Sequence, residues 1–337
     1  MTFRTSIEKA WSFLKESQLA EGRFPDFLAF GEDFSCPTIP ELSVFSTSAI
    51  LLALADCPLA DKEAVVGAGL DFLEGQMGPY QSWSFWHSAH PWTSVLPTDL
   101  DDTALASLLL TRANRLLPNN YAWMLANRKD SAAFYTWVGP RWNASAPWSW
   151  WRLVLRRFKR PLLCWLFWTK ANCLYWDIDS VVNANVLLYF AATGHQHQAT
   201  GCIDFLTNLV KTGREHCSDK WYHGPWPFHY SLARAHRFGA SALSPLKPIC
   251  LSRILEGQEA DGSFGLNVLH TSQAISALRW WDYSGPEVST ARHYLLRHQL
   301  SDGSWPRLPF YFGGPSRQTC WGSESLTTAL CLEALTL

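Results

Sequence analysis

Three aspartates lie in one four-residue segment, Asp99-Leu100-Asp101-Asp102. Carboxyl groups this close cannot all ionise at low cost in a pocket from which water is excluded, so one of them keeps its proton. Hydrogen bonds from the other two, or from a protonated histidine, then favour release of that proton. The spacing therefore indicates a general acid.

The same residues also suit the start of a helix. Thr98 or Asp99 is a favourable N-cap, and acidic side chains in the first turn are stabilised by the positive end of the helix dipole. Two interpretations stay open at this point: a chemical role for the cluster, and a capping role at an ordinary helix start.

Two further carboxylates occur at the start of a later helical run, in Asp177-Ile178-Asp179, and Asn183 and Asn185 follow them. These aspartates either cap a helix or form a second carboxylate pair that faces the first. Such a pair could assist the acid, or hold Mg²⁺ against a diphosphate group. No other cofactor is expected.

Four more residues complete the candidate binding set: His270, Trp305, Trp321 and Glu324. His270 and Glu324 lie at the starts of helical runs, where each could polarise a carboxylate or act only as a cap or a packed side chain. Nineteen tryptophans are many for a chain of 337 residues, so some aromatic surface should line a cavity. We expect Trp305 and Trp321 in its wall.

Six short turns with a common pattern separate the helical runs. Each has an apolar pair, then in the clearer copies a glutamine, and then an acidic or glycine turn and an aromatic residue. Weaker copies lie at 130–134 and 219–221. A repeat of this kind is typical of folds in which each unit buries its apolar face against its neighbours. The clearest copies pair Gln18 with Phe24, Gln76 with Trp83, Gln258 with Phe264 and Gln299 with Trp305.

The run after each turn is rich in Ala, Leu and Ser and has little polar face, which predicts burial on most sides. The runs before the turns are amphipathic, and strand signals are nearly absent. The pattern predicts an all-α fold, an (α/α)6 barrel or toroid of six outer–inner helix pairs that occupies 1–337 as a single domain. The N-termini of the inner helices then converge at one mouth, where variable loops carry binding residues. The inner runs begin near Phe45, Asp99, Asp177, His229, His270 and Trp321.

The turns resemble the glutamine–tryptophan repeats of the squalene–hopene cyclase and terpene cyclase superfamily. The segment from Asp99 to Ala104 is similar to the DxDD(T)A motif of class II, protonation-initiated terpene cyclases. The resemblance implies that Asp101 donates a proton to a terminal alkene or epoxide, with Asp99 and Asp102 as its support. It also implies a hydrophobic isoprenoid substrate. The resulting carbocation needs aromatic faces rather than nucleophiles beside it.

The chain departs from this family in one respect. Typical class II cyclases place the cavity between two barrels, and this chain has room for one, so it works alone under a lid, needs a partner or lacks catalysis. His270 is also similar to a histidine of protein prenyltransferase β subunits, whose zinc site needs an Asp and a Cys from the preceding inner helix. That helix here reads His229-Tyr230-Ser231-Leu232, so no metal site is expected.

An insertion at about 138–176 is expected near the mouth. Within it, the segment 148–170 interleaves basic and aromatic residues. It could form a lid, a homodimer contact, a peripheral membrane patch or part of the core.

Composition also indicates which binding partners and which cellular compartment to expect for the protein. The formal net charge is −1 and no basic block occurs, which argues against nucleic acid as a partner. The nine cysteines include no CxxC pair and lie mostly in helical runs, which favours reduced thiols in the cytoplasm. The chain begins with an amphipathic helix and has no apolar run of about 18 residues, so neither a secretory signal nor a membrane span is expected.

Two other functions remain compatible with the sequence. A carbohydrate-active (α/α)6 enzyme would use carboxylates at the mouth as acid and base, with tryptophan platforms for sugar rings. A non-catalytic barrel would bind an isoprenoid or a protein at the same place. The aspartate motif and the turns favour the cyclase.

Overall fold

The computed structural model describes residues 2–130, 132–156, 160–170, 174–222, 224–313 and 317–337. Within these ranges helices dominate and a small sheet accompanies them. The helices are α1 (Phe3–Ser17), α2 (Phe45–Leu54), α3 (Lys62–Gly75), α4 (Leu100–Arg112), α5 (Tyr121–Ala126), α6 (Trp148–Leu155), α7 (Pro161–Lys170), α8 (Ser180–Ala192), α9 (Thr200–Thr212), α10 (Pro225–Arg237), α11 (Lys247–Glu256), α12 (Val268–Trp280), α13 (Pro286–Arg297) and α14 (Glu324–Thr336). The strands are β1 (Asp26–Phe30), β2 (Thr38–Glu41), β3 (Tyr311–Phe312) and β4 (Thr319–Gly322).

Six of the helices contact one another in a closed cycle: α2, α4, α8, α10, α12 and α14, with α14 returning to α2. Every residue of α2 is buried, and all but the last residue of α8 are buried. Small and aliphatic side chains on all sides allow this burial, since they expose no polar stripe that needs water. These six helices begin within four residues of the predicted inner runs.

Amphipathic helices pack against the outside of this cycle. Helix α1 contacts α14, α3 contacts α2 and α4, α9 contacts α8, and α13 contacts α12 and α14. Each buries one face only; in α1 that face includes Ala10, Trp11 and Leu14. The helices therefore form two layers, with the less polar layer inside.

Glutamine side chains in the turns connect neighbouring outer helices. In three turns the glutamine Nε2 donates to the carbonyl of the glycine four residues later and to a carbonyl on another outer helix, at 2.8–3.2 Å. One amide thus closes its own turn and connects it to an adjacent repeat. The sets are Gln18 with Gly22 and Val65, Gln258 with Gly262 and Glu287, and Gln299 with Gly303 and Ser6.

In four of the turns the aromatic residue is hydrogen-bonded to the inner layer. Its backbone N–H donates to a threonine hydroxyl in the first two turns of the inner helix that follows, at 2.9–3.1 Å. The same contact occurs in four repeats, so the spacing from aromatic residue to threonine is part of the pattern. The pairs are Phe24 with Thr47, Trp83 with Thr103, Phe264 with Thr271 and Trp305 with Thr328.

A four-stranded antiparallel sheet joins the two ends of the chain, in the order β2-β1-β4-β3. Phe27 pairs with Gly322 and Leu28 with Trp321. The prediction of an all-α chain is wrong in this part. The strands are only two to five residues long, and the central pair, β1 with β4, joins the two ends of the chain, so no local alternation of apolar residues marks them.

Candidate active site

A cavity of about 300 Å³ lies where the N-termini of α2 and α4 meet the sheet. Its wall combines three carboxyl groups with aromatic side chains, which make up half of the lining residues. Loops before the inner helices and strands β3 and β4 supply most of the wall. The lining residues are Phe45, Phe85, Trp86, Leu96, Asp99, Asp101, Asp102, Thr136, Trp137, Val182, Trp221, Tyr222, Tyr311, Phe312, Gly313, Gln318, Thr319 and Trp321.

The carboxyl group of Asp101 is buried in this wall and accepts two hydrogen bonds. Asn185 Nδ2 donates to Oδ1 at 2.8 Å, and the Tyr222 hydroxyl donates to Oδ2. Burial raises the pKa of Asp101 to about 6, while the hydrogen bonds from Tyr222 and Asn185 act in the opposite direction. The group is therefore about half protonated near pH 6, where an ordinary aspartate is almost fully ionised, and two donors are placed to stabilise its anion.

Asp99 and Asp102 lie on either side of this acid. Asp99 is the N-cap of α4, and its Oδ1 accepts from the backbone N–H of Asp101 at 2.6 Å. Asp102 Oδ1 is buried and has no hydrogen-bond partner among the described residues. Burial, together with the charges of the neighbouring aspartates, raises the pKa of both. Capping and proton retention thus occur in the same cluster.

Asp179 and Asp177 have other partners. Asp179 caps α8 through Val181 and Val182, and its second oxygen accepts the backbone N–H groups of Lys220 and Trp221 at 2.6 and 3.1 Å. Asp177 forms an ion pair with Lys220. Neither residue lines the cavity. Both oxygens of Asp179 and Oδ2 of Asp177 are already engaged, so the pair does not fit a Mg²⁺ site. No group of three or more potential ligands for any metal occurs in the described ranges.

Three other predicted residues do not reach the cavity wall either. Trp305 is fully buried, and its indole Nε1–H donates to the carbonyl of Leu295 at 2.9 Å. It therefore closes a repeat turn and does not face the cavity. His270 lies beside Asn267, the N-cap of α12. Glu324 is partly exposed and pairs with Arg307 at 3.1 Å.

Trp321, in contrast, lies in the wall and stacks on Tyr311 with ring centroids 5.5 Å apart. Tyr222, Asn185 and Tyr311 were not among the predicted site residues. Tyr222 follows a weak repeat turn, and Tyr311 is on a strand that the pattern did not reveal.

The insertion presents apolar side chains to solvent. Trp142 is 87% exposed, Trp148 65% and Trp165 59%. Within the insertion a second cavity of about 480 Å³ is lined mainly by apolar side chains of 138–176. The predicted segment also includes 157–159 and 171–173, which lie outside the described residues.

None of the helices in the described ranges combines the length and the apolar character that crossing a bilayer requires. Every cysteine in the same ranges is a free thiol.

No family model matches the chain, and no curated protein matches it in sequence. Solved structures do share its fold. A protein from Actinoplanes is 19% identical over 99% of this chain and 98% of its own, with a TM-score of 0.69.

Two terpene cyclases match as well. The ent-copalyl diphosphate synthase from Streptomyces platensis is 19% identical over 89% of this chain and 51% of its own, with a TM-score of 0.60. A variant of the type II terpene cyclase MstE from Scytonema, in complex with geranylgeranyl dihydroxybenzoate, is 15% identical over 99% of this chain and 96% of its own, with a TM-score of 0.68. The chain therefore has a terpene-cyclase-like fold.

Proposed function

We propose that this protein is a class II-type terpene cyclase that protonates an alkene or epoxide of a hydrophobic isoprenoid, with Asp101 as the acid. One observation carries the proposal: a carboxyl group buried in an aromatic cavity, with its pKa raised to about 6 and two hydrogen-bond donors on its oxygens. Asp99 and Asp102 support the acid, Asp101, by their position and charge.

We interpret the closed cycle of helices as the inner ring of an (α/α)6 toroid. In this interpretation α1, α3, α5, α9, α11 and α13 are the outer partners. The mouth then lies at the N-termini of the inner helices, and the helix dipole of α4 stabilises the aspartate anion that forms when the proton leaves.

The first chemical step transfers the proton of Asp101 to the less substituted carbon of the terminal double bond, or to the oxygen of a terminal epoxide, and leaves a tertiary carbocation. An alkene is a very weak base, so the acid must be neutral before the step and its anion stabilised after it. Tyr222 and Asn185 donate to that anion. Charge-assisted hydrogen bonds of this kind are about twice as strong as neutral ones, so they favour the charged transition state more than the ground state.

The following steps pass the positive charge along the substrate. Each alkene in turn supplies an electron pair to the cation and forms a carbon–carbon bond, and the last cation loses a proton or takes up water. Aromatic faces attract a cation by about 0.5–2 kcal/mol each and do not react with it. Phe45, Trp86 and Trp321 line the cavity beside Asp101 and fit this need.

The same wall argues against a glycoside hydrolase. Such enzymes place two carboxyl groups on opposite sides of the scissile bond, roughly 5–9.5 Å apart. Here the three carboxyl groups of the wall all lie at the start of one helix, and the remaining wall is mainly aromatic. The geometry therefore favours an isoprenoid.

A substrate panel tests this proposal. We expect the purified protein to convert at least one linear isoprenoid to a cyclic product: an isomer of the same mass if the last cation loses a proton, or a product heavier by one water if that cation takes up water. The panel should contain squalene, prenyl diphosphates and prenylated arenes, analysed by mass spectrometry. Tryptophan fluorescence should be followed in parallel. Binding of an isoprenoid without turnover would indicate a non-catalytic barrel, and binding of an oligosaccharide alone would contradict the proposal.

We also propose that the exposed face of the insertion contacts an anionic membrane surface, from which an apolar substrate enters. Trp148, Trp165 and Leu162 are at least 59% exposed there. Arg152 and Arg160 are exposed on the same segment, and arginine near an anionic surface contributes about 1 kcal/mol each. Aromatic side chains suit the interfacial region of a bilayer.

Vesicle sedimentation checks this contact. The protein should bind phosphatidylcholine vesicles that contain phosphatidylserine more strongly than vesicles without it, and salt should weaken the binding. Leu162→Ser with Trp165→Ser should reduce binding several-fold, whereas Leu117→Ser, at an even more exposed site outside the insertion, should not. Equal binding by all three proteins would contradict the proposal. Self-association that the double variant abolishes would instead assign the face to a second copy.

A further inference from the structure

A buried carboxylate lies behind the aromatic wall, at the end of β2. Glu41 is 7% exposed and does not line the cavity. Its Oε2 accepts from the indole Nε1–H of Trp321 at 3.2 Å, and its Oε1 accepts from the backbone N–H of Leu42 at 2.8 Å. His90 Nε2 lies 3.2 Å from the same Oε1. A buried carboxylate with three N–H partners has its hydrogen-bonding capacity well satisfied.

The protonation and tautomer of the His90 imidazole follow from its contacts. Its Nδ1 accepts the backbone N–H of Trp92 at 3.1 Å, so in the neutral ring the proton is on Nε2, which donates to Glu41. Burial lowers the pKa of His90, and the charge of Glu41 acts in the opposite direction. The pair therefore remains a hydrogen bond between a neutral imidazole and a carboxylate at neutral pH.

His90 transmits this contact to a second tryptophan of the wall. The imidazole stacks on Trp86 with centroids 4.4 Å apart and planes 11° from parallel. Phe85 meets Trp86 and Trp321 edge-on, at 5.9 and 5.8 Å. One carboxylate thus holds Trp321 directly and Trp86 through His90, with Phe85 packed against both indoles.

The position of the carboxylate also changes the electrostatics of the wall. An anion at the indole N–H draws the hydrogen toward itself and increases the electron density of the ring, so the ring face attracts a cation more strongly. The negative charge itself stays behind the wall, where it cannot add to the cation. The greater electron density of the ring and the negative charge behind the wall both require an anionic acceptor at the indole Nε1–H of Trp321.

We propose that Glu41 is a positioning residue that orients Trp321 and Trp86 along the path of the carbocation and so determines how many rings form before the cation is quenched. This inference rests on the proposed cyclase function. Initiation belongs to Asp101, so loss of Glu41 changes the product more than the rate at which substrate is consumed.

Two substitutions separate the hydrogen bond from the charge. Glu41→Gln keeps the size and one amide oxygen that can accept from Trp321, but it removes the charge. Glu41→Ala removes both. Glu287→Gln is the matched control, because its carboxylate also accepts a side-chain hydrogen bond, from Tyr283, but Tyr283 does not line the cavity as Trp321 does.

We expect consumption of substrate within about threefold of wild type for both Glu41 variants. The ratio of incompletely to fully cyclised products should rise about tenfold or more for Glu41→Ala, and by an intermediate factor for Glu41→Gln, while Glu287→Gln should match wild type. A tenfold change corresponds to roughly 1.4 kcal/mol between competing steps, within the range of one cation–aromatic contact. A folded Glu41→Ala protein with the wild-type product ratio would overturn the proposal.

A second measurement does not depend on turnover. The indole N–H resonance of Trp321, assigned with Trp321→Phe, should move upfield in Glu41→Ala, because its acceptor is lost. An unchanged resonance would also overturn the proposal. If Glu41→Ala does not fold, His90→Phe, which keeps a ring against Trp86 and removes the bond to Glu41, should change the product ratio in the same direction. Failure of wild type to convert any isoprenoid would refute the cyclase function itself, and with it this role.

Discussion

Asp101→Asn should abolish turnover and leave the protein folded. Asparagine keeps the shape of the side chain but has no acidic proton, so a general-acid step should lose roughly 10²–10⁴-fold or more. The surroundings tolerate the change, because the amide oxygen can accept from Asn185 and its NH₂ can donate to the Tyr222 oxygen. The measurement is product formation by mass spectrometry, with a thermal melt as the folding control.

The melting temperature, measured against pH, also reports the ionisation of Asp101. The folded pKa of Asp101, about 6, is higher than its ordinary value of 3.8, so the stabilising contribution of the protonated group is complete below pH 4 and is lost as the pH rises through about 6. Ionisation in the folded state therefore costs roughly 3 kcal/mol at higher pH. Asp101→Asn removes that cost, and its melting temperature at pH 8 should be no lower than that of wild type.

Asp99→Asn is the matched control. It changes a second buried aspartate of the same cluster, and asparagine is as good an N-cap as aspartate. We expect it to keep more activity than Asp101→Asn. Near wild-type turnover in Asp101→Asn would remove Asp101 as the acid and leave the cluster a capping role.

Tyr222→Phe should move the pH profile to higher pH and lower its maximum. The acid must be protonated to act, so the wild-type rate should fall tenfold per pH unit above about pH 6. The Tyr222 hydroxyl lowers the pKa of Asp101 by donating to its anion. Without the hydroxyl the pKa rises, so Asp101 stays protonated to higher pH.

The same variant should be slower at every pH at which the wild-type acid is protonated. A hydrogen bond to a charged group contributes about 1.5–3 kcal/mol, so loss of this donor at the developing carboxylate should reduce the maximal rate by roughly 10–100-fold. The measurement is the rate against pH for both proteins with the same substrate.

Tyr311→Phe provides the control for a general effect of removing a tyrosine hydroxyl from the wall. Tyr311 also lines the cavity, but its hydroxyl donates to Asp26 at 2.6 Å rather than to Asp101. In the pH–rate profile of Tyr311→Phe, the rate should therefore fall over the same pH range as in wild type. A shift of equal size in both variants, or in neither, would contradict the direct action of Tyr222 on Asp101.

The sequence alone determined the features that depend on neighbouring residues. Buried and amphipathic runs alternate with period and composition suited to helices, and the six inner helices begin close to the predicted positions. The glutamine and the aromatic residue of each turn are separated by a few residues, so their pattern is visible in the chain. The aspartate cluster is visible for the same reason, because its spacing is set by one helix start.

Tertiary structure alone decided which groups surround that cluster. Asn185 and Tyr222 lie 84 and 121 residues from Asp101, and β1 pairs with β4 from the opposite end of the chain. Contacts at such separations depend on how all the helices close around one another, and a local pattern does not encode them. The raised pKa of Asp101 has the same origin, because desolvation depends on which side chains exclude water from the carboxyl group, and those come from distant segments.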